Sequence, residues 1–169
     1  TEQKSIFYIT GDNEANLKNS PLLEMYKDKD IEVLIMDQEI DEFVIPSVQK
    51  YKDFDLKSVN LSDSADELKT DDDKKEEDSL KPLIKKMKKV LGDQVKDVQA
   101  SYRLKESPSC IVADANDPTA KMQEMMKAMG QAGGQEIKPI LEINPSHAII
   151  KKLSEMKKGA SFDNISQLL

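Results

Sequence analysis

Between residues 62 and 79 the chain carries nine acids (Asp63, Asp66, Glu67, Asp71, Asp72, Asp73, Glu76, Glu77 and Asp78) against three lysines (Lys69, Lys74 and Lys75). Such a block divides the chain into two parts. It holds almost no large apolar group, so burial cannot offset the entropy lost on ordering it, and it reads as an acidic flexible linker. Asp71, Asp72 and Asp73 do not read as a metal site, because consecutive side chains do not converge on one ion. The block also holds nearly all of the formal charge of -7. The remaining chain is close to neutral, with no basic excess to attract a polyanion, so no nucleic-acid partner is expected. Two folded units are expected, 1–61 and 80–169.

In the first unit, residues 5–10 form an apolar run that ends on the turn pair Gly11-Asp12. Ser20-Pro21 is an N-cap followed by proline at the first helical position. Leu22, Leu23, Met25 and Tyr26 supply that helix's apolar face. Residues 31–36 form a second strand, apolar enough to be covered on both faces. Residues 37–50 predict a helix with Ile40, Phe43, Val44 and Val48 on one side, and 54–61 a third strand. Strand, helix, strand, helix, strand is a small α/β unit with parallel pairing. It is too short for a full nucleotide-binding domain.

The second unit opens with Leu80, Leu83, Ile84, Met87, Val90 and Leu91 at helical spacing, stopped by Gly92. Residues 95–102, 110–114 and 137–143 read as strands. Asn144-Pro145 opens a helix with Ile149, Ile150, Leu153 and Met156 on its apolar face, giving a mixed α+β architecture. Met122, Met125, Met126 and Met129 recur at i, i+3, i+4 and i+7, one face of a helix that Pro118 begins and Gly130, Gly133 and Gly134 end. Methionine is unbranched and polarizable, so this face either fills an irregular core or accommodates variable partners. An apolar share of 38% without tryptophan allows modest cores only. The chain opens on Thr1, and residues 162–169 begin an amphipathic helix that stops, which reads as a piece of a longer protein.

Little in the sequence points to catalysis. His147 is the only histidine and Cys110 the only cysteine. One of each cannot build a zinc site. A lone cysteine excludes an internal disulfide framework and suits a reducing compartment. Cys110 lies in an apolar strand, where thiols are usually inert. The glycines after the Met stripe follow a helix instead of opening one, so they make no phosphate cradle. Arg103 is the only arginine, and no bidentate anion clamp is expected. No apolar run reaches membrane-spanning length. By elimination this is a binding or structural piece. Its candidate surfaces are the Met helix and the segment Asp41-Glu42-Phe43-Val44-Ile45-Pro46, in which Phe43 reads as core sooner than contact. A module docking one fixed partner through the Met helix is the alternative to a promiscuous binder.

The order of short motifs is specific. Ile6-Phe7-Tyr8-Ile9-Thr10-Gly11-Asp12, Ser20-Pro21-Leu22-Leu23-Glu24, Ile31-Glu32-Val33-Leu34 and Ile40-Asp41-Glu42-Phe43 are followed by Leu91-Gly92-Asp93, Arg103-Leu104, Ser107-Pro108, Cys110-Ile111-Val112, Thr119-Ala120-Lys121-Met122 and Leu141-Glu142-Ile143-Asn144-Pro145-Ser146-His147. Together they resemble the end of the middle domain and the C-terminal domain of the heat-shock protein 90 chaperones, bacterial HtpG type. The resemblance implies a cytoplasmic stress-response chaperone that binds partly folded clients. The parent would be an ATP- and Mg-dependent homodimeric ATPase with possible co-chaperones. It implies no enzyme activity and no cofactor for this fragment, since the ATP pocket would lie outside it. It implies client contacts at Met122, Met125 and Met126, extended by periodicity to Met129, and at Phe43 with Pro46 nearby. The last dimerisation helices would be missing, so the fragment is expected to dimerise weakly or not at all.

Overall fold

The computed structural model describes residues 3–130 and 137–169. Strand β1 (Ser5–Thr10) pairs in parallel with β2 (Val33–Met36) on one side and β4 (Phe54–Ser58) on the other. The expected parallel unit is therefore present, with one addition. A short strand β3 (Lys50–Tyr51) turns back antiparallel onto β4. Lys52, at φ 55°, makes that tight reversal, and Gln49, at φ 53°, turns the chain just before β3.

The two faces of β1 differ, as the period of a strand requires. Phe7 and Ile9 point into a core with Leu17 of helix α1 (Glu14–Lys18), Leu22, Leu23, and Met25 and Tyr26 of helix α2 (Glu24–Asp28). The Phe7 and Tyr26 rings meet at 4.8 Å, tilted by 58°. Ser20 caps the chain before Pro21 as expected, but the first turn, Pro21–Leu23, is a 3-10 helix that leads into α2. Tyr8 and Thr10 face the other way, where helix α3 (Asp41–Val48) covers them together with Ser58, the register partner of Tyr8.

The acidic block departs from the linker expectation. Asp66–Leu68 forms a 3-10 turn, and helix α4 (Asp71–Leu91) starts within the block. The signal is a capping box: the Thr70 hydroxyl accepts from Asp73 N, and the Asp73 carboxylate accepts from Thr70 N at 2.7 Å. Asp71 and Asp73 also lie where a helix dipole favours negative charge. Ala65 is buried and Leu68 packs on the first core. Glu67 bridges Lys57 at 2.7 Å, Lys69 sits 4.3 Å over the Tyr102 ring, and the Tyr102 hydroxyl donates to Glu77. Ion pairs and ring contacts hold the segment where large side chains are few.

A second sheet places β7 (Ile140–Ile143) between β5 (Asp97–Ala100), parallel, and β6 (Ser109–Val112), antiparallel. The extended run thus becomes a strand only after Pro139. On one face Val98, Ala100, Leu141 and Ile143 pack with Leu80, Leu83, Met87 and Leu91 of α4, Ile150 and Leu153 of α6 (Ala148–Glu155), and Phe162 of α7 (Ala160–Leu168). On the other face Val112 and Ile140 join the core of the first unit. One sheet therefore belongs to both cores.

The 101–107 connection fastens this junction. Arg103, 1% exposed, donates to the carbonyls of Val59, Leu61 and Ser62 and pairs with buried Glu142, Nε to Oε2 3.0 Å. In return, Glu24 accepts from the backbone N–H groups of Lys105, Glu106 and Ser107. The lone arginine is thus a clamp after all, directed at backbone carbonyls and one internal carboxylate.

Candidate functional site

Helix α3 presents the reverse of the expected face. Ile40, Val44 and Val48 are 61%, 47% and 45% exposed, and Phe43 is also exposed. Its buried side chain is Glu42, 4% exposed. The reason lies beneath the helix. Tyr8, Thr10 and Ser58 make that face of the sheet polar, so an acid matches it better than the apolar stripe does. The stripe is left in solvent, and the expectation of Phe43 as core is corrected.

Thr119 links α3 to helix α5 (Ala120–Ala128). Its hydroxyl donates to Glu42 Oε2 at 2.8 Å and accepts from Met122 N at 3.2 Å, which caps α5. Pro118 precedes this cap instead of lying in the first turn. Lys121 pairs with Asp12 after β1, and Gln123 donates to the Pro118 carbonyl at 3.2 Å. Met129 ends the helix, followed by Gly130 at φ 74°, the left-handed region that glycine tolerates. Gly133 and Gly134 lie outside the described residues.

No residue of α5 is fully buried. Met122, Met125 and Met126 are half-buried and Met129 is 55% exposed. The stripe is therefore neither closed core nor wholly free. Met122 and Pro46 line one cavity of about 310 Å³, with Glu42, Thr10, Ser58 and Tyr8. Phe43 lies on the outer side of α3, and Met129 at the far end of α5 from Thr119. Among the six expected site residues, only Pro46 and Met122 share that cavity.

The rest of the cavity lies outside the expected site, and three of its polar atoms stand out. Thr10 Oγ1, Ser58 Oγ and Glu42 Oε1 are buried without hydrogen-bond partners. The Tyr8 hydroxyl beside them is pushed above its ordinary pKa, chiefly by burial. The strand alternation of Tyr8 and Thr10 with Phe7 and Ile9 carried the signal.

Cys110 and His147 are each engaged elsewhere. The thiol faces Glu142 Oε2 at 3.8 Å, and burial, then the Glu142 charge, pushes its pKa well above the ordinary thiol value. A thiol so raised is a poor nucleophile. The helix expected to open at Asn144-Pro145 starts later, at Ala148, and His147 is its cap: its Nδ1 accepts from Ile149 N at 3.2 Å. Asn144 instead donates to the carbonyls of Lys105 and Ser107. No helix among the described residues is long and apolar enough to cross a membrane.

The mixed α/β fold thus sets an exposed apolar helix, α3, beside a Met-lined helix, α5. The Hsp90 protein family model matches residues 1–169, and the chain belongs to that family. It is similar to chaperone protein HtpG of Treponema denticola, 49% identical over all of this chain and 27% of that protein. Chaperone protein HtpG of Sulfurovum sp. is 48% identical over the same shares. That of Campylobacter jejuni is 50% identical over 95% of this chain and 25% of its own. The chain thus spans about a quarter of the length of the curated relatives it matches.

Proposed function

We propose that this chain is the client-capturing part of an Hsp90-type chaperone and holds partly folded proteins on the apolar surface of α3 and α5. The observation that carries the reading is the inverted helix α3, whose Ile40, Phe43, Val44 and Val48 remain in solvent while an acid is buried. Met122, Met125, Met126 and Met129 extend it along α5. Phe43 and the methionines are the contact residues, with Pro46 at the edge of the cavity. Desolvating such a surface yields about 25 cal/mol per Å² of apolar area before ordering costs, which favours weak, reversible contacts. Half-buried methionines adapt to varied apolar shapes at small cost.

In the parent protein, ATP and Mg would bind at a site outside this chain and drive capture and release. The parent would be a cytoplasmic homodimer, with co-chaperones as possible regulators, and this chain a weak dimer or a monomer without cofactor. Binding of a permanently unfolded, carboxymethylated protein tests the reading. The Phe43→Ser/Val44→Ser variant is expected to lose about tenfold in affinity, or ~1.4 kcal/mol, with its melting temperature unchanged. Unchanged affinity would defeat it. Saturable binding of one sequence with no response to other unfolded proteins would favour a fixed-partner module.

A further inference from the structure

The cavity between α3 and the start of α5 does not need a client surface to explain it, and its chemistry is specific. Thr10 Oγ1, Ser58 Oγ and Glu42 Oε1 are each more than nine-tenths buried by residue and lack a partner. All three line the same space of about 310 Å³. β1 supplies Thr10, β4 supplies Ser58 and α3 supplies Glu42, so three separate elements bring an oxygen-bearing side chain to the same cavity. Buried polar groups without partners are costly, and three around one cavity mark a place for a ligand or ordered water.

Charge narrows the choice. Among the described residues no lysine or arginine lies within ion-pair distance of Glu42, whose other oxygen is taken by the Thr119 hydroxyl. A buried carboxylate without a cation is strongly unfavourable. The remaining walls mix apolar Pro46, Leu61, Pro118 and Met122 with Tyr8, Asn116 and Asp117, whose carboxylate is already paired with Lys96 at 2.7 Å. Among the described residues no group of three or more His, Cys, Asp or Glu side chains converges as a divalent ion requires, and Asp117 at this cavity is taken by Lys96. A primary ammonium has three N–H donors for three acceptor oxygens, and an alkyl stem would lie along the apolar walls.

We propose that this cavity is a binding site for a primary alkylammonium group, held by Glu42, Thr10 and Ser58. The group is either a lysine side chain of a bound polypeptide or a small free amine, since the chemistry recognised is the same. The proposal does not rest on the capture surface described above, because none of its three oxygens belongs to the α3 stripe or to the outer methionines.

Titration of the 169-residue chain with n-butylammonium, followed by NMR shifts of the Thr10, Ser58 and Thr119 amides and the Met122 methyl, tests it. Saturable shifts are expected, with n-butanol binding at least tenfold more weakly. Glu42→Gln is expected to weaken the amine at least tenfold. Thr10→Val and Ser58→Ala, which leave the Thr119 contact in place, are expected to weaken it two- to fivefold, so the test survives if Glu42→Gln misfolds. Equal binding of butanol, no saturable shift, unchanged affinity in Thr10→Val and Ser58→Ala, or a crystal soaked in the amine that holds only water in the cavity would overturn it. A lysine-rich unfolded peptide that competes with butylammonium identifies a polypeptide as the source, and one that does not compete identifies a free amine; the site stands in either case. Loss of amine binding with unfolded-protein capture intact separates this site from the apolar surface.

Discussion

The two faces of the first sheet are built from one strand and solve opposite problems. On one side Phe7 and Ile9 meet Tyr26, Leu22 and Met25, and the helices turn their apolar residues inward. On the other, Tyr8, Thr10 and Ser58 meet Glu42, and α3 turns its apolar residues outward. The first face supplies stability. The second gives up apolar burial and gains an exposed surface and a polar cavity. An amphipathic stripe therefore shows which residues share a side, but the partner decides whether that side is inside.

Substitutions on the two faces should separate by several kcal/mol. Phe7→Ala on the apolar face is expected to cost about 3–5 kcal/mol in urea unfolding, the range for deleting a buried phenyl ring. Ile40→Ser on the outer face is expected to change stability by no more than about 0.5 kcal/mol. Comparable losses at the two positions would break the comparison.

The helix on the apolar side also carries a pH-dependent tie. Burial would raise the Glu24 pKa, but hydrogen bonds from the Ser107 hydroxyl and from the backbone of Lys105, Glu106 and Ser107 outweigh it and hold the group below its ordinary 4.5. A depressed folded-state pKa gives stability that is present above the unfolded value and lost as pH falls through the folded one. Glu24→Gln should therefore be less stable than the parent at pH 6. The gap should narrow as unfolding is repeated at successively lower pH below 4.5. A gap that is constant with pH would assign the effect to packing alone.

Thr10→Val gives the smallest effect and the sharpest sign. It removes an unpartnered buried hydroxyl at nearly constant volume, so stability should stay level or rise by up to about 1 kcal/mol. A loss of more than 1 kcal/mol in the same unfolding measurement would mean that the hydroxyl is paired in solution.

Much of this architecture is legible in the sequence because its signals are local. The parallel strands follow from apolar runs bounded by turns, α4 beyond residue 80 from its 3.6-residue period, and the second core from Leu83, Met87, Leu141 and Ile150. The Met stripe falls along one helix, as its spacing predicts. Other features depend on distant residues. The start of α4 rests on Thr70 and Asp73 as a capping box, which the acidic composition conceals. Arg103 acts on carbonyls more than forty residues away in sequence. Helix α3 has the predicted periodicity but faces the other way, because its orientation is set by Tyr8, Thr10 and Ser58. Glu42 is likewise visible as an acid in the segment, while its burial depends on strands at both ends of the first unit.

The central claim is that α3 and α5 together form the surface that receives unfolded chains. Hydrogen exchange over residues 40–48 and 119–129, with and without a permanently unfolded protein, tests it most directly. The account predicts fast exchange in both segments alone, slowed in both on addition of the unfolded protein, with β1 unchanged. Exchange unaltered in both segments under conditions where the unfolded protein is bound would place the binding surface elsewhere and contradict it.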